Sequence, residues 1–163
     1  MTVEAIYSVG DWIVHNYYGV GQIKKIEKKP IHGEKVRTFR VRTKDSIYWV
    51  PVKKSDNPRI RRVVNKTKLR RAIRTLKSKP QKMNKNYKTR NARIRKVFLS
   101  GSIQKMAKLL RDLLGLRHEK KFNNTEKDAV EKIQERFIRE YAICYEIPQE
   151  EASARFWEII AQL

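Results

Sequence analysis

The spacing of apolar residues changes near residue 60, and this change constrains the fold of the 163-residue chain more than any other feature. Before it, β-branched and aromatic residues form short runs, such as Trp12, Ile13 and Val14, which are separated by glycine-containing or polar turns. After it, apolar residues recur every three or four positions, which is the spacing of one face of an α-helix. The pattern predicts an α+β chain, with a β domain over residues 1–60 and an all-α helical domain over residues 61–163.

The β domain is predicted to be a small SH3-like or Tudor-like β-barrel, because four or five short strands fit into its sequence. Polar segments at residues 31–34 and 43–46 are the expected turns. Pro51 should end or edge the last long strand, since proline lacks the N–H that a central strand donates. Alternation along residues 47–50 puts Ile47 and Trp49 on one face, and the sequence leaves open which face is buried.

The helical domain contains apolar stripes that predict five helices. The polar segment 77–86 should be a loop, so that the next helix begins near Tyr87. Thr125 and Asp128 have the spacing of a capping box in which Asp replaces Glu. Pro148 suits the first position of the last helix. The stripes contain Leu69, Ile73 and Leu76; Ile94, Val97 and Phe98; Ile103, Met106, Leu110 and Leu113; Val130, Ile133, Phe137 and Tyr141; and Ala152, Phe156, Ile159 and Ile160.

Charge is segregated along the chain. The whole chain has 39 Lys and Arg against 17 Asp and Glu, a formal net charge of +22. Residues 63–122 hold 20 of the cations and only 2 of the acidic residues, whereas residues 123–163 are net acidic. So many cations repel one another unless a polyanion screens them, and phosphate neutralisation with counterion release favours nucleic acid as that polyanion.

The sequence offers no constellation for catalysis or for a cofactor. His15, His32 and His118 are isolated, and no glycine-rich phosphate loop occurs. Cys144 is the single cysteine, which excludes an internal disulfide and a cysteine-based zinc cluster. No apolar run reaches the ~18 residues of a membrane span, and the N-terminus does not resemble a signal peptide. We therefore expect a non-enzymatic, cytoplasmic, nucleoid-associated protein with neither cofactor nor metal.

Two segments, residues 8–34 and 99–142, together resemble the CarD family of bacterial transcription regulators, which includes the CdnL-like proteins. The first segment taken alone is also similar to the KOW-type barrels of ribosomal proteins and elongation factors. Ser102 stands where the family usually has Asp. The residues that carry the resemblance are Gly10, Asp11, Val14, Gly19, Val20, Gly21, Ile23, Ile26, Glu27, Ile31 and Gly33, then Ser100, Gly101, Arg111, Asp112, Leu113, Glu126, Glu140, Tyr141 and Ala142.

The resemblance implies that the β domain binds the β subunit of RNA polymerase by adding a strand edge to its sheet. The positions that match the family's contact strands are Lys29, Ile31 and Trp49. Relatives often have a cation where this chain has Trp49, and a tryptophan in the barrel core is the alternative interpretation of that residue.

For the helical domain, the resemblance implies binding to promoter DNA at the upstream edge of the transcription bubble. A family tryptophan wedges there into the minor groove, and its position, fourteen residues before Gly101, is Tyr87 in this chain. The alternative is that Tyr87 packs at a helix start. Arg70, Arg71 and Arg74 form a second cationic face, which either extends the DNA track or is simply solvated. The expected DNA-binding residues are Tyr87, Lys85, Lys88, Arg90 and Arg93.

The sequence thus predicts a monomeric transcription regulator that binds RNA polymerase and upstream-fork DNA and stabilises the open complex. The alternative is a general nucleic-acid-binding protein, either ribosomal and KOW-type or a chromatin architectural protein.

Overall fold

A computed structural model describes residues 6–54 and 59–163 of the chain. The chain divides into two compact units, Met1–Val63 and Val64–Leu163. The described strands lie in the first unit and form one five-stranded sheet, and five α-helices make up the second. This order of elements confirms the α+β prediction.

The sheet of the first unit is antiparallel throughout, with strand order β4-β3-β2-β1-β5. A single 3₁₀ turn, Val52–Lys54, follows the edge strand β4, whose last residue is Pro51. Proline therefore ends an edge strand, as predicted. The strands are β1 (Trp12–His15), β2 (Gly19–Ile31), β3 (Glu34–Arg42), β4 (Ile47–Pro51) and β5 (Ile60–Arg62).

Two features bend the sheet around its core. The pairing of β2 with β3 shifts register between Ile23 and Lys25, which marks a β-bulge. Earlier in β2, a Cβ at Gly21 would lie 2.9 Å from Cγ1 of Val41 and 3.1 Å from the carbonyl oxygen of Arg42. Only a glycine lets the two backbones approach this closely.

The hairpin that joins β2 and β3 turns through His32 and Gly33. Their φ angles are 50° and 80°, so both central residues are in the left-handed region. A two-residue loop with both φ angles positive is a type I′ turn, which matches the twist of the flanking strands.

The core of the first unit settles the orientation of β4. Tyr48 and Val50 are buried beside Phe39 and Val41, whereas Ile47 and Trp49 are exposed. Trp49 is therefore not a core residue, and the alternative interpretation of it is wrong. The ring of Tyr18 stacks on Tyr48 at 4.6 Å between centroids, which fastens the β1–β2 turn to β4.

The helices of the second unit contain the five predicted apolar stripes. Residues 77–86 connect the first two helices, and the second begins at Tyr87, as predicted. The helices are α1 (Lys66–Leu76), α2 (Tyr87–Ser100), α3 (Ile103–Arg117), α4 (Asn124–Tyr145) and α5 (Gln149–Ala161).

Helix α3 is the centre of this unit, because ten of its fifteen residues are buried and it contacts α1, α2 and α4. The 77–86 loop packs directly on it. A Cβ at Gly115 would lie 2.6 Å from the Cβ of Pro80, so the glycine is required for this contact. The backbone N–H of Gln81 donates to Oδ1 of the buried Asp112 on α3, at 2.8 Å. The loop is therefore held by both packing and a hydrogen bond.

Two helix starts differ from the prediction. The capping box of α4 is formed by Asn123 and Glu126, not by Thr125 and Asp128, which lie inside the helix. Asparagine is at least as good an N-cap as threonine, and glutamate reaches back further than aspartate, so this pair prevails. Pro148 is the N-cap residue of α5 rather than its first helical residue.

Candidate polymerase and nucleic-acid interfaces

The three residues predicted to contact polymerase lie on the outer face of the sheet. After the bulge, the odd-numbered residues of β2 share one face, which places Lys29 and Ile31 together. The ammonium of Lys29 lies over the Trp49 ring, 4.2 Å from its centroid, and the ring remains 41% exposed. The structure thus assembles an exposed cationic and aromatic surface from two strands.

Glu27 also belongs to this surface, although it was not among the residues predicted to contact polymerase. The indole N–H of Trp49 donates to Oε1 of Glu27 at 2.5 Å, and the Lys25 ammonium lies 3.1 Å from Oε2. The hydrogen bond from Trp49, followed by the contact with Lys25, lowers the pKa of Glu27. The odd-numbered spacing of residues 25, 27, 29 and 31 was the signal that could have revealed it.

Strands β2 and β3 extend past β1 and β4 as a two-stranded ribbon. The pairing of β2 with β1 ends at Gln22, and the pairing of β3 with β4 ends at Thr38. In the described residues, the segments 28–31 and 34–37 are paired with each other alone. A strand that is paired on one side only offers N–H and C=O groups to a further strand. Lys29 and Ile31 lie on this ribbon.

Tyr87 is the first residue of α2 and is 55% exposed. The N-cap Asn86 accepts a hydrogen bond from the backbone N–H of Lys88 at 2.8 Å, and Asn84 accepts one from the N–H of Asn86 at 2.8 Å. Met83 is buried in the core just before this turn. An anchored and capped turn therefore presents the tyrosine to solvent, which does not support packing at the helix start as its role.

Arg90 is a correction to the predicted DNA-binding set. Its side chain is 3% exposed, and its Nε donates to Oε1 of Glu126, which is fully buried, at 2.6 Å. Its Nη1 donates to the carbonyl oxygens of Asn84 and Lys85, at 3.0 and 2.9 Å. The guanidinium thus donates its hydrogen bonds to a buried carboxylate and two carbonyl oxygens. Arg90 therefore positions the Tyr87 turn and is not available to phosphate.

The other three cations of the predicted set are accessible to different degrees. Lys85 and Lys88 flank Tyr87 and are exposed. Arg93 is partly exposed, at 37% of its side chain, and its Nη2 donates to Oδ2 of Asp112 at 2.8 Å. Lys85, Tyr87 and Lys88 therefore form the open part of this site, and Arg93 lies at its border.

The motif residues that carried the family resemblance are mostly structural. Asp112 joins the 77–86 loop, α2 and α3 through Gln81, Arg93 and Arg111. Glu126 combines the capping box of α4 with the buried pair to Arg90. Asp112 and Glu126 thus fix the arrangement of the helices, and the exposed residues Lys85, Tyr87 and Lys88 are not part of the motif.

Two structural findings concern other kinds of site. In the part of the chain that the structure describes, no group of three or more His, Cys, Asp or Glu side chains could hold a metal ion. Among residues 6–54 and 59–163, none of the helices combines the length and the apolar character that a membrane crossing requires.

Two family models match this chain, one for each unit. The CarD-like/TRCF RID domain matches residues 7–64, and the CarD C-terminal domain matches residues 71–156. The first has a Tudor-like fold, in agreement with the predicted fold class. Together the two matches cover the five-stranded sheet, helices α2, α3 and α4, and parts of α1 and α5. The chain belongs to the CarD family, whose members are RNA polymerase-interacting transcription regulators.

Proposed function

We propose that this protein binds the β subunit of RNA polymerase through its β2–β3 ribbon and upstream-fork promoter DNA through the Tyr87 turn, and so stabilises the open complex. The observation that carries the proposal is the position of Tyr87. It is the exposed aromatic side chain of the basic segment 63–122, and a buried ion pair holds the turn that presents it.

The polymerase contact combines main-chain pairing with side-chain selection. A strand of the β subunit adds to the ribbon and gains affinity from backbone hydrogen bonds. Lys29, Ile31 and the exposed Trp49 ring supply specificity, because they share one face beside the ribbon. A cation over an aromatic ring fits a partner surface that offers a carboxylate and an apolar contact.

The DNA contact uses a wedge with cations beside it. Tyr87 inserts at the junction of duplex and bubble, and Lys85, Lys88 and Arg93 contact phosphates. Phosphate contacts supply position and affinity without base specificity, so the protein discriminates open from closed DNA rather than one sequence from another. A ligand that binds the open state more tightly shifts the equilibrium towards it.

One experiment separates the two contacts. Tyr87→Ala should shorten the lifetime of the open complex and leave polymerase binding unchanged. Lys29→Glu with Ile31→Arg should instead weaken polymerase binding and leave the affinity for free DNA nearly unchanged. Stacking on a base is worth ~1–3 kcal/mol, so the lifetime should fall roughly 5- to 100-fold for Tyr87→Ala. Tyr87→Phe should behave like wild type, because stacking does not need the hydroxyl.

Lys28→Glu is the matched control for the ribbon, since Lys28 is exposed on the opposite face of the same strand. Thermal unfolding of every variant accompanies the binding measurements. An unchanged lifetime for a folded Tyr87→Ala protein refutes the wedge, and equal loss of polymerase binding in Lys28→Glu refutes the assignment of the outer face. Binding to ribosomal RNA in place of polymerase would favour a general nucleic-acid-binding protein.

A further inference from the structure

We propose that helix α1 is a second DNA-binding surface, which holds the duplex about 20 Å from the Tyr87 turn. The proposal adds a site to the DNA contact proposed above. Binding by α1 itself is independent of polymerase and of the tyrosine wedge, whereas the expected DNA length rests on the proposed position of Tyr87 at the junction. Its cationic face consists of six exposed side chains, namely Lys66, Lys68, Arg70, Arg71, Arg74 and Lys77.

The apolar side of α1 is fully used in the core, which fixes the direction of the cations. Leu69, Ala72 and Leu76 are completely buried. Lys66, Arg70, Arg74 and Lys77 follow one another at intervals of three or four residues, so they form a single stripe along the opposite side. The stripe is about 16 Å long, since each helical residue rises 1.5 Å.

Within residues 6–54 and 59–163, these cations form no ion pair with an acidic side chain. No acidic residue occurs in the sequence from residue 63 to residue 111. None of the ion pairs in the described residues includes a cation of this face, and Lys66 instead lies 5.4 Å from the ring centroid of Tyr145. Like charges three or four residues apart destabilise a helix, so a polyanion would remove an existing repulsion as well as add contacts.

A duplex fits such a stripe better than an acidic protein surface does. Duplex DNA presents about one phosphate charge per 1.7 Å of axis, which supplies several charges along a stripe of this length. The stripe is also almost free of exposed apolar side chains, which are what the buried centre of a protein–protein interface requires.

Contacts at both ends of α1 show how far it lies from Tyr87. The backbone N–H of Val64 donates to Glu140 at 2.9 Å, near the end of α4, whereas Arg90 pairs with Glu126 at the start of α4. The other end of α1 meets the start of α3, where Gln104 donates to Thr75 at 2.7 Å, just after α2 has ended. Along α4, fourteen residues separate Glu140, at one end of α1, from Glu126, beside the Tyr87 turn. Along α2, about thirteen residues separate Tyr87 from the end of the helix, near the other end of α1. At 1.5 Å per residue, each separation is about 20 Å.

This separation predicts a length of DNA. Base pairs rise by 3.4 Å, so the α1 stripe lies about six base pairs from the junction that Tyr87 occupies in the proposed function. A protein that holds both points needs a duplex arm of at least that length.

The test compares two variants that each lose two charges. Arg70→Gln with Arg74→Gln removes the centre of the stripe, and Lys127→Gln with Lys132→Gln removes two exposed lysines of α4. The probe is a forked DNA of arbitrary sequence, with a duplex arm from 4 to 20 base pairs long. Affinity is measured between 50 and 200 mM salt.

For the arginine variant, we expect the salt slope to become shallower by about 1.8, since each phosphate contact contributes ~0.9. Between the two salt concentrations, wild type should therefore lose about 12-fold more affinity than this variant. Wild-type affinity should rise as the arm passes about six base pairs, and the variant should lack this rise. Its melting temperature should not fall, because the substitution removes like-charge pairs and glutamine is a good helix former.

An unchanged slope in the arginine variant, or an equal change in the α4 control, overturns the proposal. Tyr87→Ala in the same assay keeps the two DNA contacts distinguishable. It should reduce the preference for a fork over a plain duplex and leave the salt slope as in wild type. A failed wedge therefore leaves the salt-slope test of α1 unaffected and changes only the expected arm length, and a failed α1 surface does not affect the test of the wedge.

Discussion

Replacement of Arg90 by methionine tests whether this residue positions the Tyr87 turn or contacts DNA. Methionine keeps much of the side-chain volume but leaves the buried Glu126 carboxylate without its partner. It also removes the hydrogen bonds to the carbonyls of Asn84 and Lys85. Removal of one partner from a buried ion pair typically costs 3–5 kcal/mol, because an uncompensated charge stays in the interior. We expect a loss of that size in the helical unit.

The cost is large relative to the stability of the domain. The unit Val64–Leu163 has about 100 residues, and one kcal/mol shifts the melting temperature of such a domain by about 4–8 °C. Arg90→Met should therefore melt at least ~12 °C below wild type. Glu126→Gln combined with Arg90→Met should be less destabilising than the sum of the single changes, by about 1–3 kcal/mol, because neither charge is then buried alone.

Urea unfolding followed by circular dichroism at 222 nm measures the effect, since the helices dominate that signal. Arg90→Lys is the conservative variant: it keeps the charge but loses the planar fork, so its stability should lie between those of wild type and Arg90→Met. If Arg90→Met unfolds within 1 kcal/mol of wild type while DNA affinity falls tenfold, Arg90 is a surface contact, and the role that the geometry gives it is wrong.

Two further predictions concern the β domain. Hydrogen bonds from Trp49 and Lys25 hold the pKa of the Glu27 carboxylate below its ordinary value of 4.5. The hydrogen bond from the indole to the ionised carboxylate is therefore present at pH 4.5 and above, and it is lost as the pH falls through the lowered pKa. Tryptophan fluorescence should therefore show a transition with a midpoint below 4.5 that Glu27→Gln abolishes, and a midpoint above 4.5 would contradict the geometry. Gly21→Ala should destabilise the sheet by ~1–3 kcal/mol in urea, because its Cβ would lie 3.1 Å from a backbone oxygen of Arg42. Gly33→Asn is the control, since a Cβ at Gly33 meets nothing within 4 Å and asparagine tolerates a positive φ; an equal loss in both variants would refute the packing argument.

The candidate DNA site could be located from the sequence to within one turn of helix. The polar segment 77–86 and the apolar stripe after it predicted both the loop and the helix start at Tyr87. The sequence could not show which of the basic side chains at this site are exposed. Arg90 has the same charge as Lys85 and Lys88, but it lies where the helix faces α4, and its partner is 36 residues away in sequence. Nothing local distinguishes it from an exposed arginine.

For strand β4 too, the sequence could not decide which side chains are exposed. Alternation established that Trp49 and Ile47 share a face, but a period of two is symmetric and does not say which face is buried. Packing against Phe39 and Val41 decided the question, because Tyr48 and Val50 fill that core. Trp49 was thereby turned outward to Lys29 and Glu27.

The sequence by itself determined what depends on neighbouring residues: the change from strand to helical spacing, the turns, the five helices and the concentration of cations in residues 63–122. These follow from local backbone preferences and from charge, which act between residues close in the chain. Only the tertiary structure decided which cations remain accessible and which face of β4 is exposed. Each of these depends on a partner brought close by folding, because a buried charge persists only where a specific opposite charge and hydrogen bonds compensate for the loss of water.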